Sequence, residues 1–352
     1  MGATLGWSIG ILAVGLFGLA GAAVASGQVG QLLGGASPTP SLTPSPSATP
    51  TPSVTPTPTP PPAPPAPPAP AVPVSPADTA CATAVTMSIW AHYDDDLIFG
   101  NPTLQDAITG GDCIRSVFLT ASDAGRGTDY SKGRELGILR AYNTMRGQQG
   151  FWAERPVTLL SGAVLSQWSP EDDPDITVAF LRLPDGNVSG DGFASTGYAS
   201  LPKLLSGVLP VLAPIYGAPP LSSETLVASL AELVLAYHPA HLLTHVPADA
   251  AMHAAGDHPD HGATGIYARA AWQRAGFPAG EVRYAVGYPS ESFTINVTGD
   301  TLIRKIDAFR VYAAQDSVVT CATDAACLAM PRFGAWLQRS YLATDAELFP
   351  AG

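Results

Sequence analysis

The chain has 352 residues, with 29 acidic and 17 basic side chains, a net charge of −12 at pH 7, and 35 prolines. Every charged residue lies at or after Asp78, and 18 prolines fall between Pro38 and Pro76, so only residues 79–352 can present an ordinary globular surface. With three lysines in all, the chain lacks the clustered Lys and Arg that nucleic-acid phosphates require and the polybasic patch that anionic lipid requires.

Residues 1–26 read as a signal peptide or membrane anchor. Side chains are apolar or small from Leu5 to Ala25, and 21 residues at the helical rise reach roughly 31 Å, about one hydrocarbon core. Ala23-Val24-Ala25 before Ser26 is a small-residue pattern that a signal peptidase accepts, so both retention and cleavage stay open. The first basic residue is Arg115, and charge bias therefore sets no orientation. Residues 27–78 form a Pro/Thr/Ser-rich linker, expected to be disordered because proline lacks the N–H that helix and sheet need. In polyproline II at ~3.1 Å per residue, roughly 40 such residues would reach up to ~120 Å.

Cys81, Cys113, Cys321 and Cys327 all lie in the globular part and show no Cys-x-x-Cys pair, which argues against structural zinc. An exported chain pairs its thiols. Three connectivities are open; Cys81 with Cys113 and Cys321 with Cys327, the nearest in sequence, are favoured.

In chain order, the pattern predicts strands at Ala84–Trp90 and Ile114–Thr120 with a helix at Leu97–Ile108 between them. A helix at Arg134–Met145 and a strand at Val157–Leu160 follow. Helices are then expected at Leu201–Leu209, Thr225–Tyr237, His261–Ala275 and Ile303–Tyr312, with strands at His241–His245 and Val282–Gly287. Strand alternating with helix implies an α/β, Rossmann-like fold: a mostly parallel sheet with helices on both faces. Ligands in such sheets sit at the carboxyl ends of the strands.

Two segments concentrate the chemistry. Trp90-Ala91-His92-Tyr93-Asp94-Asp95-Asp96 directly follows the first strand. Three adjacent carboxylates repel one another unless a cation neutralises them, and His92 beside them suits zinc or another transition metal better than calcium or magnesium. An acidic turn is the bland alternative. Asp257-His258-Pro259-Asp260-His261 leads into a predicted helix, and six of the seven histidines fall between His238 and His261. Pro259 and Asp260 suit a helix first turn. Each segment alone would read equally well as a surface histidine or a helix cap; together they point to a metal site. His238, His241, His245 and His253 default to core or surface positions. Asp185 and Gly186, after Pro184, read as a turn. Trp90 reads as core, and Trp168 could stack on a sugar ring.

These residues carry a resemblance. AHYDDDLIF resembles the Ala-His-Pro-Asp-Asp-Glu/Asp signature of the LmbE-like, PIG-L family of zinc-dependent de-N-acetylases, and HPDH resembles that family's second signature. LTASDAGRG is similar to its Thr-x-Gly-Glu-x-Gly loop, GRELGILRAYNTMRG to the helix after that loop, and FLRLPDG to a further segment. Tyr93 stands where the family usually has Pro, Asp96 replaces the commoner Glu, and Asp123 stands where the loop usually has Glu. By motif position the resemblance implies that His92, Asp95 and His261 ligate zinc or another divalent transition metal. It makes Asp94 the general base, His258, when protonated, the stabiliser of the oxyanion, and Asp260 the residue that orients a neighbouring histidine. Arg134 and Asp123 would contact substrate. The implied reaction removes N-acetyl groups from an N-acetylglucosamine-containing glycan or glycoconjugate and releases acetate; the N-terminal segment and the linker, not the resemblance, make that substrate extracytoplasmic and the protein secreted or tethered through its N-terminal segment. Two alternatives stand beside it: a catalytically weak glycan- or metal-binding domain of the same fold, and a zinc amidohydrolase acting on another acylated amine.

Overall fold

In a computed structural model, residues 74–77 and 81–350 are described. The expected membrane-targeting segment and almost all of the linker lie outside the described residues. Strands are β1 (Val85–Trp90), β2 (Cys113–Thr120), β3 (Trp152–Thr158), β4 (Val164–Pro170), β5 (Ile176–Leu183), β6 (His241–His245), β7 (Val282–Ala285) and β8 (Leu342–Thr344). The main helices are α1 (Thr103–Gly110), α2 (Thr128–Met145), α3 (Leu201–Leu205), α4 (Ser223–Tyr237), α5 (Pro259–Arg274) and α6 (Gly299–Ala313). The strands form one eight-stranded sheet in the order β3-β4-β5-β2-β1-β6-β7-β8. Its five central strands, β5 to β7, are parallel. The β3–β4 hairpin at one edge and β8 at the other run antiparallel.

The parallel centre is buried on both faces: every residue of β1 and β2 is buried, polar Thr86, Ser88, Arg115, Ser116 and Thr120 included. One core layer, with Leu226, Leu230 and Ala271 from α4 and α5, covers one face of the sheet. The other, with Ile138, Tyr142 and Phe309 from α2 and α6, covers the opposite face. This is the α/β architecture the sequence pattern implies. Three strands add to those expected: β4, β5 and β8. The expected strand at Val157–Leu160 overlaps the end of the edge strand β3 at Val157 and Thr158, while Leu159 and Leu160 lie beyond it. The expected helix at Leu97–Ile108 divides into a π-helical turn, Asp96–Gly100, and α1, because Pro102 has no N–H with which to continue a helix. Among the described residues, no helix is long and apolar enough to cross a membrane.

Folded contacts begin ahead of the expected boundary at residue 79. Ala77 is fully buried in the first core layer, and Arg155 Nη1 donates to the Pro76 carbonyl at 2.9 Å. Two disulfides, Cys81–Cys113 and Cys321–Cys327, have the pairing favoured from sequence.

Lys305 of α6 is fully buried; its Nζ donates to the Arg339 carbonyl at 2.7 Å and the Trp336 carbonyl at 3.4 Å. Burial lowers its pKa to about 7 from the ordinary 10.5. Between those values the unfolded chain holds a proton that the folded chain has released, so folding stability rises with pH across that window. Chemical-denaturation curves from pH 7 to 10 are expected to show this rise, and Lys305→Met is expected to flatten it.

Candidate metal centre and its pocket

The parallel strands deliver their carboxyl ends to one rim of the sheet, and the site is built there. β1 ends at Trp90, and the next residues form a tight turn in which the His92 N–H donates to Asp95 Oδ2 at 2.6 Å and the Asp95 N–H donates to the His92 carbonyl at 3.3 Å. The Tyr93 N–H donates to Ser122 Oγ at 2.8 Å, a bond that the family's usual proline could not make. The Tyr93 side chain turns into the core, where its hydroxyl donates to Glu135 at 3.0 Å.

α5 begins beside this turn. His258 is its N-cap and Pro259 its first residue, so one helix start presents His258 and His261 to the rim. His92 Nδ1 lies 3.3 Å from His261 Nε2 and 3.3 Å from Asp95 Oδ2, while His261 Nε2 lies 3.1 Å from Asp95 Oδ1. All three residues are buried. Bonds of about 2.0–2.1 Å in a tetrahedron would set zinc ligands about 3.3–3.4 Å apart.

The electrostatics match. Burial alone would raise the Asp95 pKa, but His261, His245 and His92 outweigh it and hold the carboxyl well below its ordinary range. Burial also opposes charge on His261, yet Asp95 and Asp257 raise its pKa to about 9; His92 is likewise raised well above 6.5, chiefly by Asp95 against burial. Two ring nitrogens facing each other at 3.3 Å across a carboxylate cannot both carry protons without repulsion. A divalent transition metal, accepting all three lone pairs, satisfies this arrangement, and the nitrogen and oxygen donors suit it. Three overlapping buried groups have donor atoms close enough to share an ion: His92, His258 and His261; His92, Asp185, His258 and Asp260; and Asp95, His245 and His261.

The partners of these donors are mostly residues the motifs did not assign. Asp260 Oδ2 lies 3.3 Å from His92 Nε2, so the histidine that Asp260 orients is His92. Asp257 Oδ1 lies 2.8 Å from His261 Nδ1. His245, at the end of β6, stacks on His261 with centroids 4.0 Å apart and reaches Asp95 Oδ2 at 3.0 Å; it belongs to the site, not to an ordinary core position. Two glycines make room for the carboxylates: a Cβ at Gly186 would lie 2.3 Å from Asp260 Oδ1, and one at Gly287 would lie 2.4 Å from Asp257 Oδ1. Asp257→Asn keeps the shape and removes the charge facing His261. Loss of such an outer carboxylate is expected to weaken metal affinity about 10- to 100-fold, read by competition with a chromogenic chelator.

A pocket of about 340 Å³ opens above the cluster. Asp94 lines it, 6% exposed, with Arg134 Nη2 at 2.8 Å from its Oδ1. Burial raises the Asp94 pKa, with Asp95 adding to the rise and Arg134 opposing it. Arg134 is itself fixed by the Ser122 carbonyl at 2.7 Å, by Tyr312 Oη and by Asp316. His258 Nδ1 accepts the Asp260 N–H at 3.2 Å, and burial, followed by His92 and His261, lowers its pKa well below 6.5. With Nδ1 accepting that bond, the ring's N–H on the pocket side is carried by Nε2.

Asp123 is fully buried and accepts the N–H groups of Gly125 and Asp185; it shapes the loop, and the pocket is lined instead by its neighbours Ala124 and Arg126. Asp185, read from sequence as a turn, lines the pocket with Oδ2 at 4.0 Å from His92 Nε2. Tyr288, Phe333 and Trp336 form an aromatic wall opposite, with Tyr288 and Trp336 stacked at 4.5 Å. No motif marks that wall, because packing brings it from a distant part of the chain.

The profile of the GlcNAc-PI de-N-acetylase (PIG-L) family matches residues 87–272, just over half of the chain. The chain belongs to that family. It is thus a hydrolase of the N-deacetylase type, and both motif segments of the PIG-L domain lie inside the matched span. No curated protein matches the chain. Similar solved structures include the deacetylase of the teicoplanin biosynthesis pathway in complex with teicoplanin, 16% identical over 67% of this chain and 88% of that chain, with a TM-score of 0.39. The N,N'-diacetylchitobiose deacetylase from Pyrococcus horikoshii is 13% identical over 66% and 71%, with a TM-score of 0.36. The 4-carboxy-2-hydroxymuconate hydratase GalB from Pseudomonas putida is 13% identical over 66% and 80%, with a TM-score of 0.37. The PIG-L assignment rests on the family match.

Proposed function

We propose that this PIG-L protein is a zinc-dependent hydrolase that removes the N-acetyl group from an N-acetylglucosamine-containing glycan or glycoconjugate outside the cytoplasm. The observation that carries the reading is the meeting of His92 Nδ1 and His261 Nε2, 3.3 Å apart, with the two Asp95 carboxylate oxygens at 3.3 and 3.1 Å, and Asp94 beside them on the pocket wall. His92, Asp95 and His261 would hold the metal, which when bound lowers the pKa of water and polarises a carbonyl. Asp94, with its pKa raised and one oxygen pinned by Arg134, accepts a proton from the water that attacks the acetamide carbonyl and returns it to the leaving amine. His258 donates from Nε2–H to the carbonyl oxygen as negative charge develops there. Asp260 holds the His92 ring, and Arg134 acts by holding Asp94. Asp123 serves the pocket through its loop. The products are acetate and a free amine.

Two disulfides, the apolar N-terminal segment and the Pro/Ser/Thr-rich stretch support an oxidising, extracytoplasmic location, either secreted or tethered. The test is acetate release by the purified protein from a panel of N-acetylglucosamine glycans, with chelator and with zinc restored. Release that stops with chelator and returns with zinc supports the reading. A metal-loaded protein that releases acetate from no member of the panel overturns it.

A further inference from the structure

A second groove, of about 990 Å³ and larger than the catalytic pocket, lies between α2 and the β3–β4 hairpin. Strand register puts Trp152 and Trp168 on one face of the hairpin, with Trp168 directly opposite Glu154. Both indoles are tied by their edges: Trp152 Nε1 donates to Asn143 at 3.1 Å and Trp168 Nε1 donates to Ser166 at 2.8 Å. Edge-tied indoles are rigid and can offer flat faces to a ligand at low entropic cost. Phe151, 82% exposed, stands at the same groove.

The facing stripe of α2 carries Lys132, Leu136 and Arg140, spaced one helical turn apart and all exposed. Among the described residues neither Lys132 nor Arg140 forms an ion pair, in a chain where acidic side chains outnumber basic ones 29 to 17. Lys132 only faces the Tyr216 ring, at 5.3 Å. Glu135 and Glu154 also line the groove, but both face Arg182, at 2.7 and 3.7 Å; the fixed aromatic faces and the cations Lys132 and Arg140, which have no such partner among the described residues, suit a ligand with flat apolar faces and carboxylates. Bases and phosphates would meet that description too; the acidic saccharide is favoured because the neighbouring pocket is read as acting on a glycan, and a single-stranded oligonucleotide is the comparison in the test.

We propose that this groove is a second, non-catalytic binding site for an acidic saccharide, its sugar rings stacked on Trp152 and Trp168 and its carboxylates on Lys132 and Arg140. The inference rests on the glycan reading of the substrate. α2 is a shared wall, giving Tyr130 and Arg134 to the catalytic pocket and Lys132, Leu136 and Arg140 to the groove. Binding in the groove therefore raises the local concentration of a long acidic glycan beside the metal centre.

The test is calorimetric titration of the intact, metal-free protein with an octasaccharide of alternating glucuronate and N-acetylglucosamine, with a neutral N-acetylglucosamine hexamer, and with a single-stranded oligonucleotide. The acidic octasaccharide is expected to bind more tightly than the other two. Lys132→Gln with Arg140→Gln is expected to weaken it at least tenfold while leaving the hexamer, and acetate release from a monosaccharide substrate, unchanged. Trp168→Ala is expected to weaken both saccharides. No saccharide binding, binding indifferent to the surface pair Lys132 and Arg140, or tighter binding of the oligonucleotide would each overturn the proposal. Because the titration needs no turnover, acetate release that fails while binding persists sinks the proposed reaction and leaves the groove standing.

Discussion

Replacing Asp94 with Asn is expected to lower kcat by about 10²- to 10⁴-fold, the range for loss of a positioned acid–base group, while metal content stays at the level of the unaltered protein. An amide has nearly the shape of the carboxylate but cannot take a proton. Asp94 is not among the donors within 3.3 Å of one another, and its Oδ1 is engaged by Arg134 at 2.8 Å, so the substitution leaves the His92, Asp95 and His261 cluster intact. Steady-state acetate release paired with metal analysis on the same sample makes the measurement. An Asp94→Asn protein that deacetylates at the full rate would assign the base elsewhere.

His261→Ala is expected to remove metal and activity together. Its Nε2 stands 3.1 Å from Asp95 and 3.3 Å from His92, and its Nδ1 is held by Asp257 at 2.8 Å. Loss of an outer partner alone costs about 10- to 100-fold in affinity, and loss of a direct donor is expected to cost at least ~100-fold. It also leaves Asp95 without the imidazole that does most to hold its carboxyl ionised against burial. Zinc affinity by chelator competition is the primary readout. Thermal melting of the zinc-free variant and zinc-free parent separates a ligand effect from unfolding of α5, and zinc affinity equal to the parent's would remove His261 from the proposed ligand set.

The parts of the site that were legible in the sequence are those held in short contiguous runs. His92, Asp94 and Asp95 share one turn, and His258, Asp260 and His261 share one helix start, so local backbone rules fix their relative directions within each run. Asp257 was visible in the second run but acquired a role only once the ring it faces was known. His245 ends a strand as an ordinary histidine would, and Asp185 follows a proline as an ordinary turn residue would. Nothing local distinguishes either from its bland alternative, because what makes each part of the site is a neighbour more than 90 residues away. Asp123, aligned by motif with a substrate-contacting position, folds inward onto backbone N–H groups.

The same division runs through the fold. Periodicity and composition by themselves determined the alternation of strand and helix and the parallel character of the central sheet, since both depend on spacing along the chain; spacing favoured the two thiol pairings but left three connectivities open, and the fold chose among them. The strand order, the antiparallel hairpin at the edge and the meeting of the two motifs were decided only by the tertiary structure. So were the aromatic wall of Tyr288, Phe333 and Trp336, the hold of Asp316 on Arg134 and the groove between α2 and the hairpin. These are long-range contacts, made because burying both faces of one sheet brings distant segments to the same rim, and no window of sequence contains both members of such a pair.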